Sequence, residues 1–223
     1  MHASAPLVVE VAAPGPHGPG RLTLSLPPDA PRAVVLLGHG AGGGIDALDL
    51  AALAGGLPAS GIAVARYEQP WRVAGRRVAG PPASLDAAWR PAVAVVAARF
   101  PGTPLVVGGR SAGARVACRT FAPPAVGVVA LSYPLHPPGR PEKSRAAELA
   151  DVPAPVLLVS GDRDPFGSPD ELRAAVASGQ RGERELVLVP GSAHTFTEPR
   201  SGTGTPTGDA VVAAVASFVA HLA

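Results

Sequence analysis

The sequence of 223 residues holds one cysteine, one lysine, two isoleucines and no asparagine. A single cysteine, Cys118, excludes an intrachain disulfide and a cysteine-based zinc cluster, and it fits a reducing compartment. Aromatic residues make up only 4% of the chain and do not interleave with its basic residues, so a base-stacking platform for nucleic acid is not expected. The longest apolar stretch, residues 210–220, is shorter than the roughly 20 residues that span a bilayer. The opening "MHASAPLVVEVAAPG" lacks a basic leader and is interrupted by Glu10, so a signal peptide is not expected. These absences point to a cytoplasmic protein with neither a nucleic-acid nor a membrane partner. They leave the oligomeric state open.

Basic residues outnumber acidic ones by 19 to 17, and the sequence pI is about 9.2. All but one of the basic residues are arginine, a bias that together with the lack of Asn and the scarcity of Ile matches GC-rich codon usage. Arginine abundance is therefore weak evidence for an anionic partner. Hydrophobic residues reach 47% against 16% charged, enough to build a core despite 27 glycines and 27 prolines. The length suits one domain over residues 1–223.

Apolar runs rich in β-formers alternate with Ala-rich stretches. Strands are expected at 7–11, 21–26, 33–38, 62–66, 105–109, 126–132, 155–160 and 185–190, and helices at 46–56, 84–99, 112–120, 169–178 and 208–222. The first two strands flank a Pro/Gly-rich turn and read as a hairpin. The later strands are apolar throughout rather than alternating, the pattern of a parallel sheet covered by helices on both faces. The Pro- and Gly-containing segments 136–155 and 198–209 read as exposed loops, too short for a cap domain.

"LLGHGAGGG", residues 36–44, admits two readings. Gly38, Gly40 and Gly43 spell G-x-G-x-x-G, a dinucleotide fingerprint, with Glu68 as the acidic ribose partner. Yet Glu68 lies 30 residues past Gly38, where about 20 is usual, and the loop follows a hairpin instead of opening the βαβ series. The other reading makes the loop a lining of backbone N–H groups for an oxyanion, and it requires no cofactor or metal.

A second motif favours that reading. Gly109, Ser111 and Gly113 form G-x-S-x-G between an expected strand and helix, the setting of a nucleophile elbow. A serine nucleophile needs a base, and the base needs an acid to orient it. Beyond the next strand ends come "DRDP" and "GSAHTF", so Asp164 and His194 follow Ser111 in the order Ser, Asp, His. In a parallel sheet these three loops share one edge. Asp164, preceding Pro165, is favoured as the acid, with Asp162 as its competitor. His39 is an alternative base or a residue shaping the glycine loop, and Cys118 reads as a packed helix residue. Arg72, Arg76 and Arg77 stand where a substrate can enter and are candidate anion ligands.

The strings "GHGAGGG", "RYEQPW", "GGRSAGAR", "LSYPLHPPGRPEK", "SGDRDPFG" and "GSAHTF" together resemble the α/β-hydrolase superfamily. More narrowly they resemble the small family of testis-expressed protein 30 and a scaffold subunit of a histone-acetylation complex. Dienelactone hydrolases are a looser likeness, since Ser111 stands where those enzymes use cysteine. The resemblance implies an eight-stranded, mostly parallel sheet with the second strand antiparallel and no cap. It also implies Ser111 as nucleophile, Asp164 as acid, His194 as base, and the backbone N–H groups of Ala41 and Ala112 as oxyanion donors. The implied activity is hydrolysis of a small ester, lactone or acyl substrate. The alternative is a non-catalytic interaction module on the same fold.

Overall fold

Period-two alternation explains why the strands are apolar along their whole length. In the computed structural model, which describes residues 7–12, 17–179, 181–196 and 207–222, strand β3 (Ala33–Gly38) sends Val34 and Leu36 into one buried cluster and Ala33, Val35 and Leu37 into another. Strands β4 (Ile62–Glu68), β5 (Leu105–Arg110) and β7 (Val156–Gly161) divide their residues the same way. Each fully buried Leu or Val stabilises the fold by about 1.5–3 kcal/mol, so both faces of the sheet must be covered.

Helices supply the cover. Helix α1 (Leu48–Gly56) brings Leu50 and Leu53 to one face, where α7 (Thr207–Ala220) adds Val211, Val215, Phe218 and Val219. The opposite face packs against α3 (Pro82–Arg99) through Leu85, Trp89 and Val96, and against α4 (Ala112–Arg119) through Ala114 and Val116. Leu149 of α5 (Ala146–Ala150) and Leu172 of α6 (Pro169–Ala177) complete that layer. Helix α6 starts on a capping box between Ser168 and Glu171, with Pro169 at its first position. A short helix α2 (Pro70–Val73) that the apolar pattern does not reveal follows β4.

The hairpin strands β1 (Leu7–Val11) and β2 (Gly20–Ser25), with β6 (Ala125–Leu131) and β8 (Arg184–Val189), complete a sheet of order β1-β2-β4-β3-β5-β6-β7-β8. Strand β2 is antiparallel to both β1 and β4, and every other pairing is parallel. The expected eight-stranded sheet with an antiparallel second strand is what forms.

One expectation needs correction. Segment 136–155 is not simply an exposed loop: it contains α5 and buries Leu149 and Val152 against the sheet. Its Pro and Gly residues mask a short helix that forms because its apolar side chains have a core to enter. Residues 198–206 of the other expected loop lie outside the described residues, while Thr207 is buried at the start of α7. Among the described residues, no helix is long and apolar enough to cross a membrane.

Candidate active site

The chain runs from β3 outward to β4 and returns across the sheet to β5, so the carboxyl ends of β3 and β5 open at a point where strand order reverses. Ser111 sits on the sharp turn between β5 and α4 with φ 53° and ψ −110°, a conformation that L-residues rarely adopt. Such strain costs on the order of 1–3 kcal/mol and persists only where the surroundings enforce it. Here the Ser111 N–H donates to the Leu131 carbonyl at 2.9 Å, and the Arg115 N–H donates to the Ser111 carbonyl at 3.2 Å. A Cβ on Gly113 would collide with the Gly38 carbonyl, so glycine lets the first turn of α4 approach the end of β3.

His194 reaches the same point from the loop after β8. Its Nε2 lies 3.0 Å from Ser111 Oγ, and its Nδ1 lies 2.8 Å from Asp164 Oδ2. The imidazole stacks at 4.2 Å, centroid to centroid, against Phe166. Two residues on, Phe196 is fully buried in the cluster beneath α1 and α7 and anchors the loop. Asp164 is itself buried, and its carboxylate accepts the Phe166 N–H at 2.9 Å and the Ser160 hydroxyl at 3.4 Å. Those bonds aim the remaining lone pairs of Oδ2 at His194.

Asp162 has a different partner. Its Oδ1 accepts the Gly191 N–H at 2.8 Å, fastening the start of the histidine loop to the end of β7. His39 is likewise engaged: its Nε2 accepts the Gln69 N–H at 3.1 Å, which leaves Nδ1 to donate to the Gly40 carbonyl at 2.8 Å. Burial holds its pKa below the ordinary histidine value. The ring also meets Trp71 edge-on at 5.4 Å, so His39 braces the glycine loop and does not approach Ser111 as a base.

Ala41 and Ala112 line a cavity of about 590 Å³ together with Ser111 and His194. The Ala112 N–H heads α4, where helix geometry provides no internal acceptor, and neither alanine N–H donates to an acceptor among the described residues. Both donors are thus available to negative charge developing beside Ser111.

The dinucleotide reading of the glycine loop does not survive this geometry. In that fingerprint the third glycine permits close helix–strand packing, yet a Cβ on Gly43 would meet nothing within 4 Å. Glu68, the candidate ribose partner, lies 3.5 Å from Arg21 across the β2–β4 pair.

Arg72, Arg76 and Arg77 are exposed and do not line the cavity. The guanidinium groups that do belong to Arg110, Arg115 and Arg145. Sequence reasoning missed these because Arg110 and Arg115 sit inside and just after the elbow motif, and Arg145 comes from the segment read as an exposed loop. Asp49 is the other omission. It is fully buried in α1, 3.2 Å from Arg110 Nε, while Arg110 Nη2 donates to the His194 carbonyl at 2.6 Å. Cys118 is buried in α4, as a packed residue should be.

A sheet with one antiparallel hairpin strand, an elbow at its switch point, and Asp and His loops after β7 and β8 define an α/β-hydrolase. The model of the alpha/beta hydrolase domain family matches residues 31–223, and the chain belongs to that family. No curated protein matches it. Among solved structures, an α/β serine hydrolase without a lid from Xanthomonas campestris is 23% identical, with a TM-score of 0.68 and coverage of 88% of each chain. Dienelactone hydrolase from Anabaena variabilis is 21% identical, with a TM-score of 0.72, covering 99% of this chain and 97% of that one. Est1E from Butyrivibrio proteoclasticus is 16% identical, with a TM-score of 0.75, covering 98% of this chain and 99% of the other. At these identities the likeness is one of fold.

Proposed function

We propose that the protein is a serine hydrolase that cleaves a small carboxylic ester, lactone or related acyl substrate. The observation that carries the reading is the unbroken relay from Ser111 Oγ through His194 to Asp164, with contacts of 3.0 and 2.8 Å. Ser111 Oγ attacks the carbonyl carbon as His194 Nε2 takes its proton, and Asp164 holds the imidazole in the tautomer that leaves Nε2 able to accept. The negative charge that forms on the carbonyl oxygen is met by the N–H groups of Ala41 and Ala112. Losing one such donor typically costs about 3–4 kcal/mol of transition-state stabilisation. As the tetrahedral intermediate collapses, the ester C–O bond breaks and His194 returns the proton to the departing alkoxide. Water then attacks the acyl-serine, His194 accepts its proton, and Ser111 leaves with that proton as the acid is released.

A cavity of about 590 Å³ suits a small substrate. Among the described residues, no cap encloses it. The single buried cysteine and the lack of a membrane-crossing helix among the described residues support a cytoplasmic setting. The narrower kinship with testis-expressed protein 30 rests on the motif strings alone.

The deciding experiment is labelling with a fluorophosphonate probe followed by an ester and lactone panel. The wild-type chain is expected to be labelled and to turn over at least one ester, and folded Ser111→Ala to do neither. Removing the nucleophile of such a relay lowers kcat about a millionfold. Labelling that persists in Ser111→Ala would overturn the assignment of Ser111 as nucleophile, and a wild type that refuses every probe and ester would overturn the proposal in favour of a non-catalytic module.

A further inference from the structure

Among the described residues, the walls of the cavity beside Ser111 carry Arg110, Arg115, Arg145 and His194, and no aspartate or glutamate. An ester with no charge gains nothing from such walls, so the disposition of each guanidinium decides what the cavity prefers.

Two of the three are already matched. Arg110 Nε faces Asp49 at 3.2 Å, on the side away from solvent. Arg115 makes a two-point contact with Glu148 at 2.9 and 2.6 Å, and Glu148 also accepts from Arg119, which is itself forked onto Asp86 at 3.0 and 2.6 Å. Among the described residues of this cluster, Arg110, Arg115 and Arg119 pair with the three carboxylates of Asp49, Asp86 and Glu148. One positive charge is left over. It belongs to Arg145, which forms no ion pair among the described residues. Asp164 does not line the cavity; it is buried behind His194 with its oxygens taken by Phe166, Ser160 and the imidazole.

Arg145 is also held in place. Its N–H donates to the Leu135 carbonyl at 2.7 Å, its own carbonyl accepts the Tyr133 hydroxyl at 2.9 Å, and its Nη1 donates to the Pro134 carbonyl at 2.8 Å. The side chain is half-buried. Burial, then repulsion from Arg115, pulls its pKa below the ordinary guanidinium value, and attraction to Glu148, whose oxygens are already engaged by Arg115 and Arg119, does not offset them. A guanidinium fixed in this way forfeits little further entropy when it takes up an anion, and its fork fits the two oxygens of a carboxylate.

We infer that Arg145 is a specificity residue that binds a carboxylate on the substrate, so that the preferred substrate is an ester carrying one free carboxylate. A single unmatched positive charge calls for a monoanion. The inference rests on the hydrolase reading for its reaction, and its binding component is separable from it. Arg145 lies on the segment that follows β6, so the part of the chain least regular in sequence supplies the selectivity.

The test uses two substrate pairs: the mono-para-nitrophenyl ester of glutaric acid with its methyl-capped counterpart, and para-acetoxybenzoate with methyl para-acetoxybenzoate. The first pair places the charge on the acyl half and the second on the leaving half. In at least one pair the wild type is expected to favour the carboxylate member by about tenfold or more in kcat/KM, carried mostly by KM. Arg145→Gln should erase that preference and Arg145→Lys should recover part of it, with added salt narrowing the gap in the wild type. Equal or better turnover of the capped member in both pairs, or a preference that survives in Arg145→Gln, overturns the inference. If no ester is turned over and Ser111 is not labelled, the hydrolase reading falls alone. Calorimetric titration of glutarate then decides the anion site: binding that disappears in Arg145→Gln supports it, and absent or unchanged binding overturns it.

Discussion

Asp49 and Arg110 form a buried ion pair at 3.2 Å directly behind the histidine loop, and the same guanidinium holds the His194 carbonyl at 2.6 Å. The Asp49 side chain is fully buried, and desolvation drives its pKa upward against the pull of Arg110. An ion pair this deep is poor evidence of net stabilisation, but removing one partner strands the other charge. The pair therefore ties the position of His194 to the integrity of α1.

Replacing Arg110 with methionine is expected to destabilise the fold by about 3–5 kcal/mol, because Asp49 is left buried without its counter-charge. The double variant Asp49→Leu/Arg110→Met should recover most of that loss in a denaturant melt. Both should show a lower kcat than wild type, since the His194 carbonyl loses its donor in each. Recovery of stability without recovery of kcat would separate the positioning role from the structural one.

The two aspartates after β7 should behave differently. Asp164→Asn is expected to reduce kcat by about four orders of magnitude while leaving the fold intact, as it disturbs the tautomer of His194. Asp162→Asn keeps an amide oxygen able to accept the Gly191 N–H and loses only the charge that strengthens that bond, so it should cost at most about 1 kcal/mol of stability, with a far smaller effect on rate. Steady-state kinetics and thermal melts of the two variants check this directly; a larger kcat loss in Asp162→Asn would reverse the assignment.

Glycine loop and elbow make opposite demands. Gly113→Ala should destabilise the protein by about 1–3 kcal/mol and abolish labelling of Ser111, because the new methyl group must displace the backbone at Gly38. Gly43→Ala faces open space and should fall within about 0.5 kcal/mol of wild type.

Acid should weaken the arginine cluster. Burial alone would raise the Glu148 carboxyl, but its hydrogen bonds and charge contacts with Arg115 and Arg119 outweigh burial, and the folded pKa lies below the ordinary glutamate value. Protons then bind the unfolded chain more readily. This contribution is complete above the unfolded pKa and is lost as pH falls through the folded one, so it should fade from about pH 5 downward. Glu148→Gln should flatten that part of the profile of Tm against pH.

Cys118 provides a check on packing. Burial pushes its thiol up to about 12, so neutral-pH alkylation by iodoacetamide should be negligible in the native protein and rapid in denaturant. Native-state alkylation at the denatured rate would contradict the packing of α4.

Much of this organisation is readable from residue order, for a local reason. Continuous apolar strands such as "PVLLVS" and the helices between them require a parallel sheet, and a parallel sheet sends the segments after β5, β7 and β8 to one edge, whatever their sequence separation. Ser111, Asp164 and His194 could be brought together on that ground alone. Choosing between Asp162 and Asp164 could not, because side chains two residues apart in a turn are aimed by whichever N–H groups they meet, here those of Gly191 and Phe166. The arginines obey the same rule. Arg72, Arg76 and Arg77 precede a helix near the expected entrance yet stay exposed, while Arg145 reaches the cavity because Leu149 draws its segment onto the core. Periodicity and chain order are properties of neighbours along the chain, so they specify strands, helices and the edge where the site forms. The partner of each charge depends on contacts between distant segments, and only the folded molecule decides those.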